Sequence, residues 1–247
     1  MINIIKNHFL SLNRLIENQL LLNTIYLILL ISIFTLLVSL FIIKNMKKIP
    51  FLIDSNLIEF IAFIFPSLII LILSIYTIKS NFYINPIKIL YSNLKPLILE
   101  IISMNWKWMI IFPIQKILTF NEFCLPILIP IKIFLSSNNV LNTLCIPKFG
   151  FQFYCMSNSH KYINFLILKH GFCHGFSSNY SGIGFNKLRI NIFLLIKKNF
   201  FYWVNNIKKS IFFNIKKYNL LIKEGSFVNK FFKIRNNKIF YLIIKKK

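Results

Sequence analysis

Apolar residues run unbroken through the first part of the chain and then begin to alternate with polar ones. Thr24 to Ile43 contains no charge, and at about 1.5 Å of rise per residue a helix of that length reaches about 30 Å, the thickness of a bilayer's hydrocarbon core. A membrane-spanning helix is predicted over 24–43. Leu57 to Ile78 is a second such window, closed by Lys79, with Glu59 near its start and Pro66 inside. It predicts a helix over 57–78, kinked where Pro66 removes a backbone donor. The first window is longer than a signal-peptide core and ends in Lys44, Lys47 and Lys48 without a small-residue cleavage site, so an uncleaved anchor is expected. Those lysines, set against Asp54 alone, place the short connecting loop in the cytoplasm and both termini on the opposite side.

Beyond Asn85-Pro86 the period shortens to two. Ile102, Met104, Trp106 and Trp108 alternate with Ser103, Asn105 and Lys107; Ile129, Ile131, Ile133 and Leu135 keep the same rhythm, as do Leu188, Ile190 and Ile192. Half-buried strands are predicted, with both indoles of Trp106 and Trp108 on one face. Turn signals at Phe112-Pro113, Ser136 to Asn139, Pro147, Gly150, Ser157 to Ser159 and the Gly171, Gly175, Gly182, Gly184 set have the spacing of an antiparallel sandwich or barrel. From about Leu195 the spacing of Phe200, Trp203, Val204, Ile207 and Ile211 becomes helical, among lysine pairs. It predicts a surface helix over the sandwich or against the membrane interface. Three regions follow: a helical hairpin (1–80), a β domain (81–194) and a basic C-terminal extension (195–247).

Composition narrows the class. The 247 residues include 30 Lys+Arg against 6 Asp+Glu, a net charge of +24, with 56% hydrophobic residues and a mean hydropathy of +0.65. A solvated polycation is not more than half apolar, and a soluble domain does not carry this hydropathy. The lysines are scattered through apolar runs, and Arg14, Arg189 and Arg235 are the only arginines, the residue usage of an AT-rich genome. Membrane lipid is therefore an expected partner and nucleic acid is not.

Few residues are equipped for chemistry. Cys124, Cys145, Cys155 and Cys173 include no C-x-x-C pair and signal no disulfide connectivity, so they read as isolated small hydrophobes. Cys155-Met156, His160 and His170-Gly171-Phe172-Cys173-His174 contain soft metal ligands on predicted loops, without a metal-binding spacing. No phosphate-binding glycine loop, G-x-S-x-G elbow or H-E-x-x-H helix is present, and six acids leave few candidates for a paired-carboxylate site. Glu59 is a carboxylate in an apolar run, which marks either a functional group or a headgroup-level residue favouring the helix N-terminus.

Several stretches resemble subunit 2 of the haem-copper oxidases. Ser55-Asn-Leu-Ile-Glu59 with Pro66, then Tyr76-Thr-Ile-Lys79, resembles the family's second helix; Glu100 to Trp108 with Phe112-Pro113 resembles the first outer strand of its quinol-oxidising branch. Ser136 to Thr143, Ile146 to Gly150, Tyr154, Met156 and Gly175-Phe-Ser-Ser-Asn-Tyr-Ser-Gly-Ile-Gly-Phe185 continue in order, and Trp203-Val204 follows more loosely. The resemblance implies a two-helix transmembrane hairpin, a cupredoxin-like antiparallel β-sandwich on the periplasmic side of the inner membrane, and a helical tail.

In the cytochrome c branch of that family, a C-x-E-x-C-G-x-x-H-x-x-M run and an earlier His hold two coppers. Anchored on Gly182, the resemblance puts Ser177 and Ser181 at the cysteines, Asn179 at the Glu, Phe185 at the His, Leu188 at the Met and Asn142 at the earlier His. Hydroxyls, amides, a phenyl ring and an isobutyl group are poor copper ligands or none. The resemblance thus implies a subunit without its own cofactor in a proton-translocating ubiquinol oxidase. It further implies that the haems and copper belong to partner subunit 1, that smaller membrane subunits complete the complex, and that Glu59 lies at a proton-uptake entrance. A copper-bearing electron acceptor and a basic membrane-anchored binding protein are the alternatives. The branch's lipid-bearing Cys has no counterpart before Cys124, so lipid anchoring is not expected.

Overall fold

The computed structural model describes residues 11–45, 56–84, 94–138, 140–157, 161–213 and 230–235. The chain divides into two compact units, one of residues 16–85 and one that joins the segment up to Leu15 to everything from Pro86 onward.

The first unit is built on two helices, α1 (Leu12–Asn45) and α2 (Asn56–Ile84). Both contain a stretch long and apolar enough to cross a membrane, within Leu12–Phe41 and Phe63–Phe82. Both also extend past the apolar windows, because a helix does not stop where its apolar run stops. In the polar extension of α1, Asn23 donates from its side-chain amide to the Tyr76 hydroxyl of α2 at 2.7 Å. Along the apolar stretches, Ser32, Thr35, Ser39, Ser67 and Ser74 donate back to carbonyls three or four residues earlier, so no hydroxyl among these needs water. Pro66 sits inside the unbroken α2. Lys47, Lys48 and Asp54, on which the loop's sidedness rests, lie outside the described residues.

The second unit is a sandwich of two sheets. One has six strands in the order β11-β3-β2-β1-β5-β8 and the other five in the order β4-β10-β9-β6-β7. The strands are β1 (Leu97–Met104), β2 (Lys107–Phe112), β3 (Ile117–Phe120), β4 (Glu122–Pro126), β5 (Pro130–Ser137), β6 (Asn142–Ile146), β7 (Phe151–Cys155), β8 (Lys161–Leu166), β9 (Gly171–Phe176), β10 (Arg189–Leu195) and β11 (Phe231–Lys233). The sheets are antiparallel except where β1 pairs with β5 and β10 with β4, both parallel.

Ile131, Ile133, Leu135, Ile190, Ile192 and Leu194 fill the space between the sheets, as their alternation predicts. The chain crosses from the first sheet to the second at Asn121, which holds a left-handed φ of 57°. Its Oδ1 accepts from the Trp108 amide at 2.8 Å, its own amide donates to the Trp108 carbonyl at 3.0 Å, and its carbonyl accepts from the Asn191 amide at 2.8 Å. Asn tolerates that backbone region better than most residues.

Three expectations are corrected. Trp106 is not in a strand: Met104 faces Lys107 across a two-residue turn, and Trp106 takes a φ of 60° there. The turn reverses the chain, so Trp108 joins the core between the sheets while Ile102 and Met104 belong to a second cluster. Gly175 is not at a turn but inside β9, where a Cβ would lie 2.6 Å from Ile190 Cγ2 and 3.2 Å from the Cys145 carbonyl. Ile211 lies beyond the last helix, α3 (Lys197–Lys208), and is exposed.

Helix α3 buries Phe200, Val204 and Ile207 in the sandwich core, and Trp203 meets Phe112 edge-on at 5.7 Å between ring centres. It lies over the sandwich, one of the two placements expected. The extension is not helical throughout its described residues, because β11 adds a strand beside β3 and Phe213 and Phe232 pack over the second cluster.

Candidate functional site

The loop between β9 and β10, Ser177 to Leu188, carries most of the residues that the resemblance singled out. It is pinched shut by the Ser177 amide donating to the Leu188 carbonyl at 3.1 Å, and tightened by Phe185 donating to the Gly182 carbonyl and Lys187 to that of Gly184. The Trp106 indole lies flat across it. A Cβ on Gly184 would stand 2.0 Å from Trp106 Cδ2, and one on Gly182 would stand 3.5 Å from Cζ2. Only a residue with no side chain lets an aromatic ring approach the backbone so closely.

Asn142, on β6, is brought to this loop. Its Nδ2 donates to Ser103 Oγ at 2.6 Å, and Ser177 Oγ stands 3.4 Å from its Oδ1. Ser177 Oγ also accepts from the Thr143 amide at 3.3 Å, and Thr143 Oγ1 shares a 2.7 Å hydrogen bond with Ser178 Oγ. Asn142 and Ser177, which the resemblance assigns to one ligand set, therefore do meet in space. Leu188 is buried in the core, Phe185 is half-buried with its ring 5.9 Å from that of Tyr180, and Asn179 and Ser181 are half-buried on the same loop. Ser181 Oγ and Trp106 Nε1 are buried there with no hydrogen-bond partner.

The donor chemistry decides what this loop can hold. Two hydroxyls, two amides, a phenyl ring and an isobutyl group offer no thiolate, imidazole or thioether, and Asn142 and Ser177 are engaged with each other and with the backbone. These residues do not fit a copper centre. Beside the loop a cavity of about 620 Å³ is lined by residues of β9, the loop and the start of β10, among them His174, Ser177, Phe185 and Arg189.

The soft ligands elsewhere do not converge either. Cys173 and His174 lie on β9, not on a loop, and successive strand residues point to opposite faces. Cys173 is buried, with Sγ 3.8 Å from the Ile192 carbonyl, whereas His174 is exposed and shares a 3.0 Å hydrogen bond with Asn191 Oδ1. Cys155 ends β7 with its side chain buried; His160 lies outside the described residues. Among the described residues no three His, Cys, Asp or Glu side chains gather as a metal site would require. All four cysteines are free, and burial pushes the Cys124, Cys155 and Cys173 thiols up to about 12. Glu59 belongs to the other unit, in the first turn of α2.

Two features escaped the residue pattern. The Trp106–Gly184 stack needs a tight turn in one sheet to meet a loop of the other, and no local period reports that. Glu100 is buried with Oε2 unpartnered, and burial raises its carboxyl to about 7. The continuous apolar run Leu97-Ile-Leu-Glu-Ile-Ile102 was its signal, since a strand apolar on both faces leaves no wet side for the acid.

Comparison with known proteins places the chain among curated relatives. It is 41% identical over 157 residues to the cytochrome bo(3) ubiquinol oxidase subunit 2 of Buchnera aphidicola subsp. Baizongia pistaciae, covering 63% of this chain and 55% of the relative. To the protein of the same name in Buchnera aphidicola subsp. Schizaphis graminum it is 34% identical over 208 residues, covering 81% of this chain and 70% of the relative. The matched span is thus little more than half of the first relative and over two thirds of the second. The periplasmic domain of subunit II of cytochrome oxidase from Bradyrhizobium japonicum superposes with a TM-score of 0.44 at 20% identity, over 46% of this chain and 94% of that domain. No protein-family model matches the chain.

Proposed function

The chain belongs to the cytochrome bo(3) ubiquinol oxidase subunit 2 family, and on that ground we propose that it is the subunit 2, without redox groups of its own, of a membrane complex that oxidises ubiquinol, reduces oxygen to water and stores the energy as a proton gradient. The observation that carries this reading is the Ser177–Leu188 loop. Asn142 and Ser177 lie at hydrogen-bond distance where the copper-bearing branch would have a His and a Cys, and the set of side chains around them cannot ligate the metal. Electrons then have no stopping point in this chain, and the haems, the copper and the quinol site belong to partner subunit 1.

The two apolar helices anchor the protein in the inner membrane, packed against subunit 1 and smaller membrane subunits. The sandwich caps the outer, periplasmic face, where both termini also lie. Glu59 is given the role of collecting protons on the cytoplasmic side: a carboxylate at the end of a membrane helix can take a proton from water and pass it inward.

The test is purification of the tagged chain from its native membranes. A many-helix haem protein should come with it, the complex should oxidise ubiquinol, and metal analysis of the separated subunit should give no stoichiometric copper. Glu59→Gln should slow turnover several-fold while leaving haem content unchanged. Copper at two atoms per chain, or a purified chain without a haem partner, would overturn the reading.

A further inference from the structure

At one end of the helical hairpin, α1 and α2 enclose a recess of about 200 Å³, lined by Ile16 and Gln19 of α1 and by Tyr76, Lys79 and Ser80 of α2. All five belong to one compact unit. Gln19 follows Ile16 by three positions, and Lys79 and Ser80 follow Tyr76 by three and four, so each set occupies one face of its helix. Asn23 continues the α1 face one turn further along. Its side-chain amide donates to the Tyr76 hydroxyl at 2.7 Å and ties the two helices together beside the recess.

Its depth in a bilayer follows from the sequence. The uncharged run Thr24 to Ile43 already matches a hydrocarbon core of about 30 Å, so Ile16 and Gln19 lie beyond it, and on α2 Lys79 closes the apolar window. The recess therefore sits among the lipid headgroups, the level at which tyrosines such as Tyr76 gather. Towards the bilayer centre both helices expose apolar side chains, Leu30 on α1 and Ile72 on α2 among them, on which hydrocarbon chains can lie.

The polar lining is made of donors. Lys79 brings an ammonium, Gln19 an amide NH₂, and Ser80 and Tyr76 a hydroxyl each. Because the Tyr76 oxygen accepts from Asn23, its own proton is left to be given to a ligand. No carboxylate is in the lining. Glu17, the acid of this stretch of α1, stands about 100° round the helix from Ile16. α1 begins one turn before Ile16 and α2 ends one turn after Ser80, so their opposed dipoles offset each other here and Lys79 sets the sign of the site.

We propose that this recess holds the phosphate of an anionic phospholipid, with Lys79 as its counter-ion and Tyr76, Ser80 and Gln19 donating to the phosphate oxygens. Pockets for drug-sized ligands start at about 300 Å³, whereas here only the phosphate group has to enter, the rest of the lipid staying in the bilayer. With no acid to pair with an ammonium, an anionic headgroup is favoured over a zwitterionic one. The site needs only that the two helices cross a bilayer, whatever complex they join.

The full-length chain, equilibrated in nanodiscs of equal parts phosphatidylglycerol and phosphatidylcholine and released for native mass spectrometry, tests it. One phosphatidylglycerol per chain should be retained in preference to phosphatidylcholine. Lys79→Gln, at an exposed position, should lower that retention about tenfold, and Lys79→Arg should restore it. Tyr76→Phe should weaken it while keeping the ring, and Lys44→Gln, at the other end of α1, should leave it unchanged. Equal retention of the two lipids, full retention in Lys79→Gln, or an equal fall in Lys44→Gln would overturn the site. Displacement of the lipid by excess inorganic phosphate would mean a soluble anion as the ligand and would overturn the lipid assignment.

Discussion

Gly184→Ala tests the stack of Trp106 on the β9–β10 loop. The new Cβ would lie 2.0 Å from Trp106 Cδ2, so the indole has to retreat by roughly 1.4 Å to reach ordinary contact. A gap of that size forfeits more than half of the dispersion attraction between the ring and its far neighbours. Overfilling a packed site of this kind costs about 1–3 kcal/mol. The backbone adds no strain, because Gly184 has φ −92° and ψ 9°, open to any residue. Alanine also restricts the unfolded chain, which favours folding by about 0.4–1 kcal/mol. The net expectation is a loss of about 1–2 kcal/mol.

All 3 tryptophans, Trp106, Trp108 and Trp203, are in the β-sandwich unit. Urea unfolding of the full-length chain in detergent, followed by tryptophan fluorescence, therefore reports that unit alone. The same substitution is then repeated in a Trp106→Ala background, with Trp108 and Trp203 as reporters. With the ring gone, Gly184→Ala should become neutral or stabilising by up to about 1 kcal/mol, a coupling of about 2 kcal/mol. Equal costs in the two backgrounds, within about 0.5 kcal/mol, would refute the stacking argument.

Other expectations follow from the same packing. Asn121→Ala should destabilise the sandwich by about 2 kcal/mol in the same assay, because it strands the Trp108 amide in the core and sets at a left-handed φ a residue that tolerates it less well than asparagine. Gly175→Ala forces Ile190 and the Cys145 carbonyl apart and should cost about 1–3 kcal/mol. Maleimide labelling of the native chain at pH 8 should find half-exposed Cys145 first, and Cys124, Cys155 and Cys173 only after unfolding, as mass spectrometry of the labelled peptides would show.

The parts legible in the sequence were those governed by local periodicity. Long apolar runs announced α1 and α2, and strict alternation announced β5 and β10, because burial on one face leaves its imprint at every second residue. Trp106 was misread for the same reason. Its spacing from Met104 and Trp108 fits a strand, but the asparagine before it starts a two-residue reversal, and period alone does not register a reversal. His174 and Cys173, read as loop ligands, are separated by the sheet itself. At the loop after β9 the meeting of Asn142 with Ser177 was legible only through resemblance, since it depends on β6 and β9 being neighbours across a long stretch of chain.

β11 has a bearing on how the protein may be shortened. Three residues from the end of the chain pair with Ile117, Leu118 and Thr119, so a row of backbone amides and carbonyls on β3 is sealed by sequence far downstream. A version cut after Phe213 would retain every other strand among the described residues yet present a bare, largely aliphatic margin to its neighbours. Sticky, self-associating material is the outcome to plan for, whereas β11 itself is a poor template, being short and ending in a lysine.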